Sequence, residues 1–418
     1  MAGPVETNLD PGASDRPGLP GARWPATIGF AVAVVAVLAG LAFLLRPRPS
    51  AEVVWNEARS AFMDRDFGRA DAALGRLAAL RDPTEMDWML RAQVAMGMHR
   101  DDEAFEDLKH VSDGNPMAAA ARLEMGQMEL RRDRFATAER YFLESIQLDP
   151  KQVQPRRELI YIYGTQMRRG DLNRTFRDLA ERSALTYPEV FLWCMAQGVT
   201  WEPREIIVTL AKAIQADPTD RWAHLGRATS LIGLNRFDEA EAMLASFPPT
   251  DADARALRVQ IALGRGDDVE AETLLDGGPD DHAGLALLRG QFALARGDAK
   301  ATLHHYRIAY QKAPYLREAV FGLGKALQLN GDPTAATYID LAYKFDLLAT
   351  LIQKAAVEAN RKDIGLIRDL GAACAAAGRT AEARAWYNIA ILRDPLDTKA
   401  HKALAALGES DPSATAPR

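Results

Sequence analysis

"DLGAACAAAGRTAEARAWYNIAILRDP", residues 369–395, consists of two alanine-rich segments separated by a glycine and closed by a proline. Gly378 can adopt the left-handed backbone conformation that ends a helix, because it has no Cβ atom to clash. Pro395 ends the second segment, since proline cannot donate the backbone hydrogen bond that a helix needs. The stretch therefore predicts two short helices joined by a tight turn.

The residue types of this stretch recur along the chain at similar offsets. Pro116 and Pro150, for example, are 34 residues apart. Self-similarity at such a period indicates an array of repeated helical units. The recurrences of the pattern Leu370, Gly371, Gly378, Ala383, Tyr387, Ala390 and Pro395 are Leu323, Gly324, Gly331 and Ala336; Gly290, Gly297, Tyr306, Ala309 and Pro314; Met125, Gly126, Phe135, Ala138, Phe142 and Pro150; and Trp88, Ala92, Ala95, Ala104, Leu108, Val111 and Pro116.

This pattern resembles the tetratricopeptide repeat (TPR), a pair of antiparallel helices with small residues where the two helices meet. The resemblance covers roughly residues 51–408 and implies an all-α fold, a right-handed α-solenoid of about ten TPR helix pairs. In this reading, small residues let the two helices approach and aromatic residues fill the space between one pair and the next. The small residues are Gly126, Gly290, Gly324, Gly371, Ala104, Ala138, Ala336 and Ala383, and the aromatic residues are Phe142, Tyr306 and Tyr387.

An apolar segment precedes the repeats. Residues 26–45, "ATIGFAVAVVAVLAGLAFLL", form an uncharged run of 20 residues, and a helix of that length spans roughly 30 Å, the hydrocarbon thickness of a bilayer. We expect one retained transmembrane helix, because a cleaved signal peptide has a shorter apolar stretch and a small-residue exit. The predicted localisation is a single-pass membrane protein in contact with the lipid bilayer. Arginines flank both ends, so the side that holds the repeats stays open.

The segments around the anchor and the array complete the predicted domain organisation. Residues 1–25, rich in proline, glycine and acidic side chains, predict a disordered tail, and residues 46–50 a linker. Residues 51–408 form the TPR solenoid, in which residues 346–363 are expected to be an additional helix that interrupts the array. Residues 409–418 predict a second disordered tail.

The composition argues against several classes of function. The net charge is −6, from 57 acidic and 51 basic side chains that are interspersed, so nucleic acid is not expected as a partner. Two cysteines cannot make a disulfide framework, and Cys194 and Cys374 lie on apolar helical stretches where cysteine packs as a small apolar residue. His304 and His305 are adjacent and point about 100° apart on a helix, which does not close a metal site. We expect no metal, no cofactor and no enzymatic activity, because the array leaves no room for a catalytic domain.

In TPR proteins the first helices of successive pairs form a concave wall at which ligands bind. Methionine and aromatic side chains on such a wall adapt to an apolar or amphipathic peptide. The opposing interpretation, that tighter coiling buries these side chains against one another, stays open. The wall positions that the resemblance implies are Trp55, Arg59 and Phe62 in the first unit; Met89, Gln93 and Met96 in the second; Leu123, Gln127 and Leu130 in the third; and Arg157 and Tyr161 in the fourth.

The sequence thus predicts a membrane-tethered scaffold or adaptor that binds an apolar or amphipathic segment of a protein partner in the TPR groove, for the assembly of an envelope complex. The alternative from another class is a regulatory or carrier subunit that binds a small apolar ligand or a lipid in the same groove. Self-association through the groove or the terminal units is compatible with either function.

Overall fold

A computed structural model describes residues 49–198 and 203–409. All regular elements in these two ranges are helices, which confirms the all-α fold. The chain divides into two compact units, Met1–Asp82 and Pro83–Arg418.

The first unit contains one described helical hairpin, made of α1 (Ala51–Met63) and α2 (Phe67–Ala78). Side chains that accept backbone N–H groups begin both helices: Ser50 caps α1 and Asp66 caps α2. The contact between the helices is built from alanine and aliphatic side chains that are almost fully buried, namely Val54, Ala58, Ala61, Ala70, Ala73, Leu74 and Leu77.

The second unit contains nineteen described α-helices and one short 3-10 helix. Most are between 8 and 14 residues long, and α18 is the exception with 22. The helices are α3 (Glu85–Gly97), α4 (Asp101–Leu108), α5 (Ala118–Arg131), α6 (Phe135–Leu148), α7 (Gln154–Thr165), α8 (Arg169–Arg182), α9 (Tyr187–Gly198), α10 (Pro203–Ala216), α11 (Arg221–Gly233), α12 (Phe237–Leu244), α13 (Ala252–Arg265), α14 (Asp268–Asp276), α15 (Ala283–Ala295), α16 (Ala299–Lys312), α17 (Arg317–Leu329), α18 (Ala335–Ala356), the 3-10 helix (Glu358–Asn360), α19 (Ile364–Ala376), α20 (Thr380–Arg393) and α21 (Thr398–Glu409).

A residue with positive φ marks the turn inside each hairpin and shows the repeat directly. Nine such turns occur in the described ranges, which confirms the predicted array of helical hairpins. Their spacing is 34 residues in the first part of the chain. Between Met167 and Asn235 it is 68, twice the repeat length, and this interval contains α9 and α10. The nine residues are Arg65, His99, Asp133, Met167, Asn235, Gly266, Gly297, Gly331 and Gly378.

Glycines in the first helices allow the close approach that the sequence predicts. A Cβ atom on Gly126 would lie 2.5 Å from the ring of Phe142, and one on Gly371 would lie 2.7 Å from the ring of Tyr387. The Tyr306 ring lies against two glycines: Gly290 of its own hairpin at 3.0 Å and Gly322 of the next hairpin at 1.9 Å. Tyr306 therefore fills the space between successive pairs, as predicted.

The hairpin of α17 and α18 corrects two predictions. Ala336 is exposed, and Ala335 is buried in its place. The register shifts because α18 begins four residues after Gly331, behind Pro333, whereas α20 begins two residues after Gly378. The separate helix predicted at residues 346–363 is also wrong, since residues 346–356 continue α18.

Helix α9 departs from the regular stack. It packs against α8, α18 and α20, while α10 packs against α11 and α7. Gly226 of α11 lies against the backbone of Gln166, where a Cβ atom would be 2.8 Å from the carbonyl oxygen. In the second unit, therefore, the last hairpins fold back onto α8 and α9. Periodicity alone does not predict this closure.

The predicted membrane localisation is corrected as well. Within residues 49–198 and 203–409, no helix combines the length and the apolar character needed to cross a bilayer. The longest helix described there, α18, carries Asp340, Lys344, Asp346 and Lys354. The span predicted at residues 26–45 lies outside the described residues, so the structure indicates neither an N-terminal membrane anchor nor a contact with lipid.

Candidate functional site

The three wall residues predicted in the first unit lie on α1. The guanidinium carbon of Arg59 is 5.9 Å from the centre of the Trp55 ring, and Arg59 is exposed. Phe62 is partly buried and its ring is tilted against Phe67, with 6.2 Å between ring centres. Trp55 and Arg59 thus form one small surface, while Phe62 contributes to the contact with the start of α2.

Helix α3 of the second unit presents two of its three predicted residues to solvent. Gln93 and Met96 are partly buried, and Met96 packs at the edge of a core cluster that includes Met125 and Tyr141. Met89 is only 6% exposed and lies inside that same cluster. A partner on this face can reach Gln93 and Met96, whereas Met89 acts as their support.

Helices α5 and α7 carry the more exposed part of the wall. Leu123 and Leu130 are partly buried and pack against the largest core cluster. Tyr161 is 50% exposed, and its ring meets the edge of Phe135 at 6.1 Å between ring centres. Phe135 is 1% exposed, so a rigid buried ring supports the tyrosine from behind. Tyr161 is the large apolar side chain on α7 that solvent reaches best.

A glutamate bridges α5 and α7 beside these apolar residues. The side-chain amide of Gln127 donates to Oε1 of Glu158 at 2.9 Å, and the amide of Gln154 donates to the same oxygen at 2.8 Å. A carboxylate held by two donors keeps both first helices in one register. The sequence analysis identified Gln127 but missed Glu158 and Gln154.

A second bridge joins α7 to α9. Nε of Arg157 donates to Oε1 of Glu189 at 2.6 Å, while Oε2 of Glu189 accepts the backbone N–H of Thr186 at 2.6 Å. Burial of Glu189 opposes its ionisation, but the hydrogen bonds from Thr186 and Arg157 outweigh it and hold its pKa below the ordinary value for glutamate. Arg157 is therefore fixed by an ionised carboxylate on α9.

The missed partners share a signal that the sequence does contain. Residues 29 to 32 positions apart, slightly less than one repeat, form polar contacts between neighbouring hairpins. A search for charged or amide pairs at this separation identifies Glu158 and Glu189. The contacts of this kind in the second unit include Gln127 with Glu158, Arg157 with Glu189, Arg221 with Asp253, Arg317 with Asp346, and Arg368 with Asp397.

Neither the histidines nor the cysteines of the described chain assemble a metal centre. In residues 49–198 and 203–409, no group of three or more His, Cys, Asp or Glu side chains could hold a metal ion. His304 and His305 lie edge to face, with 5.0 Å between ring centres, and burial lowers the pKa of His305. Cys194 and Cys374 are both buried.

The repeat geometry agrees with a family comparison. A model of the tetratricopeptide repeat family matches residues 202–261, which hold α10, α11, α12 and most of α13. The chain belongs to the tetratricopeptide repeat family. The turns at 34-residue spacing extend the TPR pattern on both sides of the matched segment. No curated protein matches the TPR chain in sequence.

Several solved structures are similar to this TPR protein. The Cut9–Hcn1 heterotetramer of the APC/C has 14% identity over 90% of this chain and 82% of that chain, with a TM-score of 0.32. A tetratricopeptide repeat protein from Parabacteroides merdae has 15% identity over 67% and 98%, with a TM-score of 0.30. Yeast Tom70 has 10% identity over 88% and 90%, with a TM-score of 0.28. Because each TM-score is below 0.5, we draw nothing from these likenesses about shape, partners or activity.

Proposed function

We propose that this TPR protein is a protein-interaction scaffold that binds an amphipathic segment of a partner protein along the first helices α3, α5 and α7. The observation that carries the proposal is Tyr161, half-exposed on α7 and supported by the buried ring of Phe135. A tyrosine whose ring is fixed from one side and open on the other is typical of an interface anchor, because it adds contact area at little cost in conformational entropy.

The neighbouring side chains define what such a segment would contain. Met96, Leu123 and Leu130 are partly open to solvent and offer apolar contacts, which suit aliphatic or aromatic side chains of the partner. The carboxylate of Glu158, already bonded to Gln127, can accept a further hydrogen bond from the partner's polar face. An amphipathic segment matches this combination better than a uniformly charged one.

The cavities of the second unit do not favour the small-ligand alternative. Three of them have volumes of about 350, 540 and 670 Å³ and are lined largely by charged side chains of other helices. Examples are Arg177 and Arg384 in one cavity and Lys109 and Arg134 in another. No predicted wall residue lines any of these three cavities. Self-association stays a prediction that light scattering of the full chain can test.

A photocrosslinking residue at position 161 of the full chain tests the proposal. The matched control is the same residue at position 143, because Leu143 on the second helix α6 is 46% exposed, close to the 50% of Tyr161. A partner that is captured at 161 and not at 143 is then purified and its affinity measured. For Tyr161→Ala we expect a loss of about tenfold or more, the effect typical of an interface anchor.

Leu143→Ala should leave the affinity of the same partner within about twofold. Capture at both positions alike, or equal affinity for Tyr161→Ala and the unchanged protein, would contradict the proposed surface. Urea unfolding of both variants distinguishes a binding defect from a loss of stability.

A further inference from the structure

The two cysteines of the chain lie against each other. The Sγ atoms of Cys194 and Cys374 are 3.9 Å apart, although 180 positions separate these residues in the sequence. Both side chains are fully buried. Cys194 belongs to α9 and Cys374 to α19, so the sulfur pair lies within the contact that closes the second unit.

Aromatic side chains around α9 hold this arrangement. The indole N–H of Trp386 on α20 donates to Sγ of Cys194, with 3.4 Å between nitrogen and sulfur. The next side chain, Trp193, stacks on Phe176 of α8 at 5.4 Å between ring centres, and its indole N–H donates to Asn173 at 2.7 Å. A rotation of α9 that moved the sulfur atoms apart would break these contacts.

We propose that Cys194 and Cys374 form a disulfide bond that closes the second unit covalently when the protein meets a low-molecular-weight disulfide. The chain contains no further cysteine, so each thiol has one possible partner within the molecule. Side-chain rotation and a small shift of α9 reduce the sulfur separation to the bonding distance of about 2 Å. This inference does not depend on the proposed function.

The reaction balances as two thiol–disulfide exchanges. The thiolate of one cysteine attacks the small disulfide, which gives a mixed disulfide and releases one small thiol. The second cysteine then attacks the protein sulfur of the mixed disulfide and releases the second small thiol. The two protein thiols lose two protons and two electrons, and the small disulfide is reduced to two thiols.

Access decides when the first exchange occurs. The hydrogen bond with Cys194 and the burial of the site raise the pKa of Cys374 well above its ordinary value, so that thiol stays protonated while α9 is docked. Oxidation therefore begins when α9 opens or during folding, and the second exchange follows as α9 docks again. Once formed, the bond keeps α9 on α19 and α20.

The test uses the full chain, refolded and also incubated native in a series of reduced and oxidised glutathione ratios. We expect an intact mass lower by two hydrogen atoms, loss of both thiols to a maleimide in denaturant, and a 194–374 crosslinked peptide. We also expect a higher midpoint of thermal unfolding that a reductant reverses. The ratio of reduced to oxidised glutathione needed for half-crosslinking should be at least tenfold higher in the folded protein than in denaturant.

Cys194→Ala and Cys374→Ala are the control variants. Each should yield a glutathione adduct or a disulfide-linked dimer on refolding, with no rise in thermal midpoint. For the unchanged protein, glutathione on both cysteines, intermolecular dimers, two free thiols after refolding in oxidised glutathione, or equal half-crosslinking ratios in the folded and denatured states would each overturn the proposal.

Discussion

The hydroxyl of Tyr187 on α9 donates a 3.2 Å hydrogen bond to the backbone carbonyl of Ala355, near the end of α18. The same ring meets Trp386 of α20 edge to face, with 5.3 Å between ring centres. The guanidinium of Arg393 lies 5.0 Å from its centre. One side chain of α9 thus contacts two helices of the C-terminal hairpins, and the closure of the second unit depends on it.

Tyr187→Phe should lower the free energy of unfolding by about 0.5–1.5 kcal/mol, because it removes the hydrogen bond and retains the ring contacts. Urea unfolding followed by circular dichroism measures the change. Hydrogen exchange should quicken in α9. The control is Tyr343→Phe on α18, where the side chain is 63% exposed and the change should stay within about 0.5 kcal/mol. Equal effects of the two substitutions would count against the closure contact.

Gly322→Ala should destabilise the protein by about 1–3 kcal/mol, because the new Cβ atom would lie 1.9 Å from the Tyr306 ring and force α16 and α17 apart. The helix propensity gained from alanine, about 1 kcal/mol, offsets only part of this cost. Gly233→Ala is the matched control, since its Cβ atom would meet no atom within 4 Å. Thermal unfolding should show the first variant below the unchanged protein and the second at or above it.

The sequence predicts the hairpins well because their determinants are local. Gly126 and Phe142 lie in one hairpin, and a small residue opposite a large ring is visible at fixed offsets. The docking of α9 on α18 and α20 has no such signature, because Tyr187 and Ala355 are 168 positions apart. Contacts of that kind depend on how many hairpins separate the two surfaces, and no period encodes this number.

The wall residues show the same division. Offsets within the TPR unit place Gln127 and Tyr161 on first helices, and the structure finds them there. The same offset puts Met89 in the core, because α3 turns that position towards Met125 and Tyr141 of the next hairpin. Glu189, which fixes Arg157, lies on the helix that leaves the stack, so family geometry could not identify it.

Asp253 connects three successive first helices and should make stability depend on pH. Its carboxylate accepts from Arg221 of α11 at 2.6 Å and contacts Nε2 of His282 at 3.0 Å. His282 Nδ1 accepts the backbone N–H of Leu285, so Nε2 carries the proton and donates to Asp253. The hydrogen bond from His282 is the largest cause, with Arg221 adding to it against burial, and together they lower the pKa of Asp253 to about 2.

Because this folded-state pKa lies below the ordinary value of 3.8, the stabilisation is present above pH 3.8 and is lost as the pH falls through about 2. The shift corresponds to about 2 kcal/mol, and screening at a side chain that is 39% exposed reduces this to about 1 kcal/mol. Asp253→Asn should therefore cost about 1 kcal/mol at pH 6 and roughly half of that at pH 3.

Urea unfolding at the two pH values measures the Asp253→Asn difference. His282→Asn serves as the second variant, because asparagine still caps α15 and cannot reproduce the imidazole contact. In that variant the pH dependence contributed by Asp253 should shrink. A constant cost of Asp253→Asn from pH 6 to pH 3 would rule out the ionised carboxylate as its origin.

His99→Gly should stabilise the protein by about 0.5–1 kcal/mol. His99 has a φ of 59° in the turn between α3 and α4 and is exposed, so its side chain adds strain and little packing. Relief of about 1–2 kcal/mol of left-handed strain exceeds the greater entropy that glycine loses on folding. The reverse change, Gly297→Ala, should cost about 1 kcal/mol: the φ of 73° stays unfavourable although no atom lies within 4 Å of the new Cβ. Met98→Gly, next to His99 with a φ of −96°, is the control and should destabilise. If His99→Gly and Met98→Gly shift the urea midpoint in the same direction, the turn conformation is not the cause.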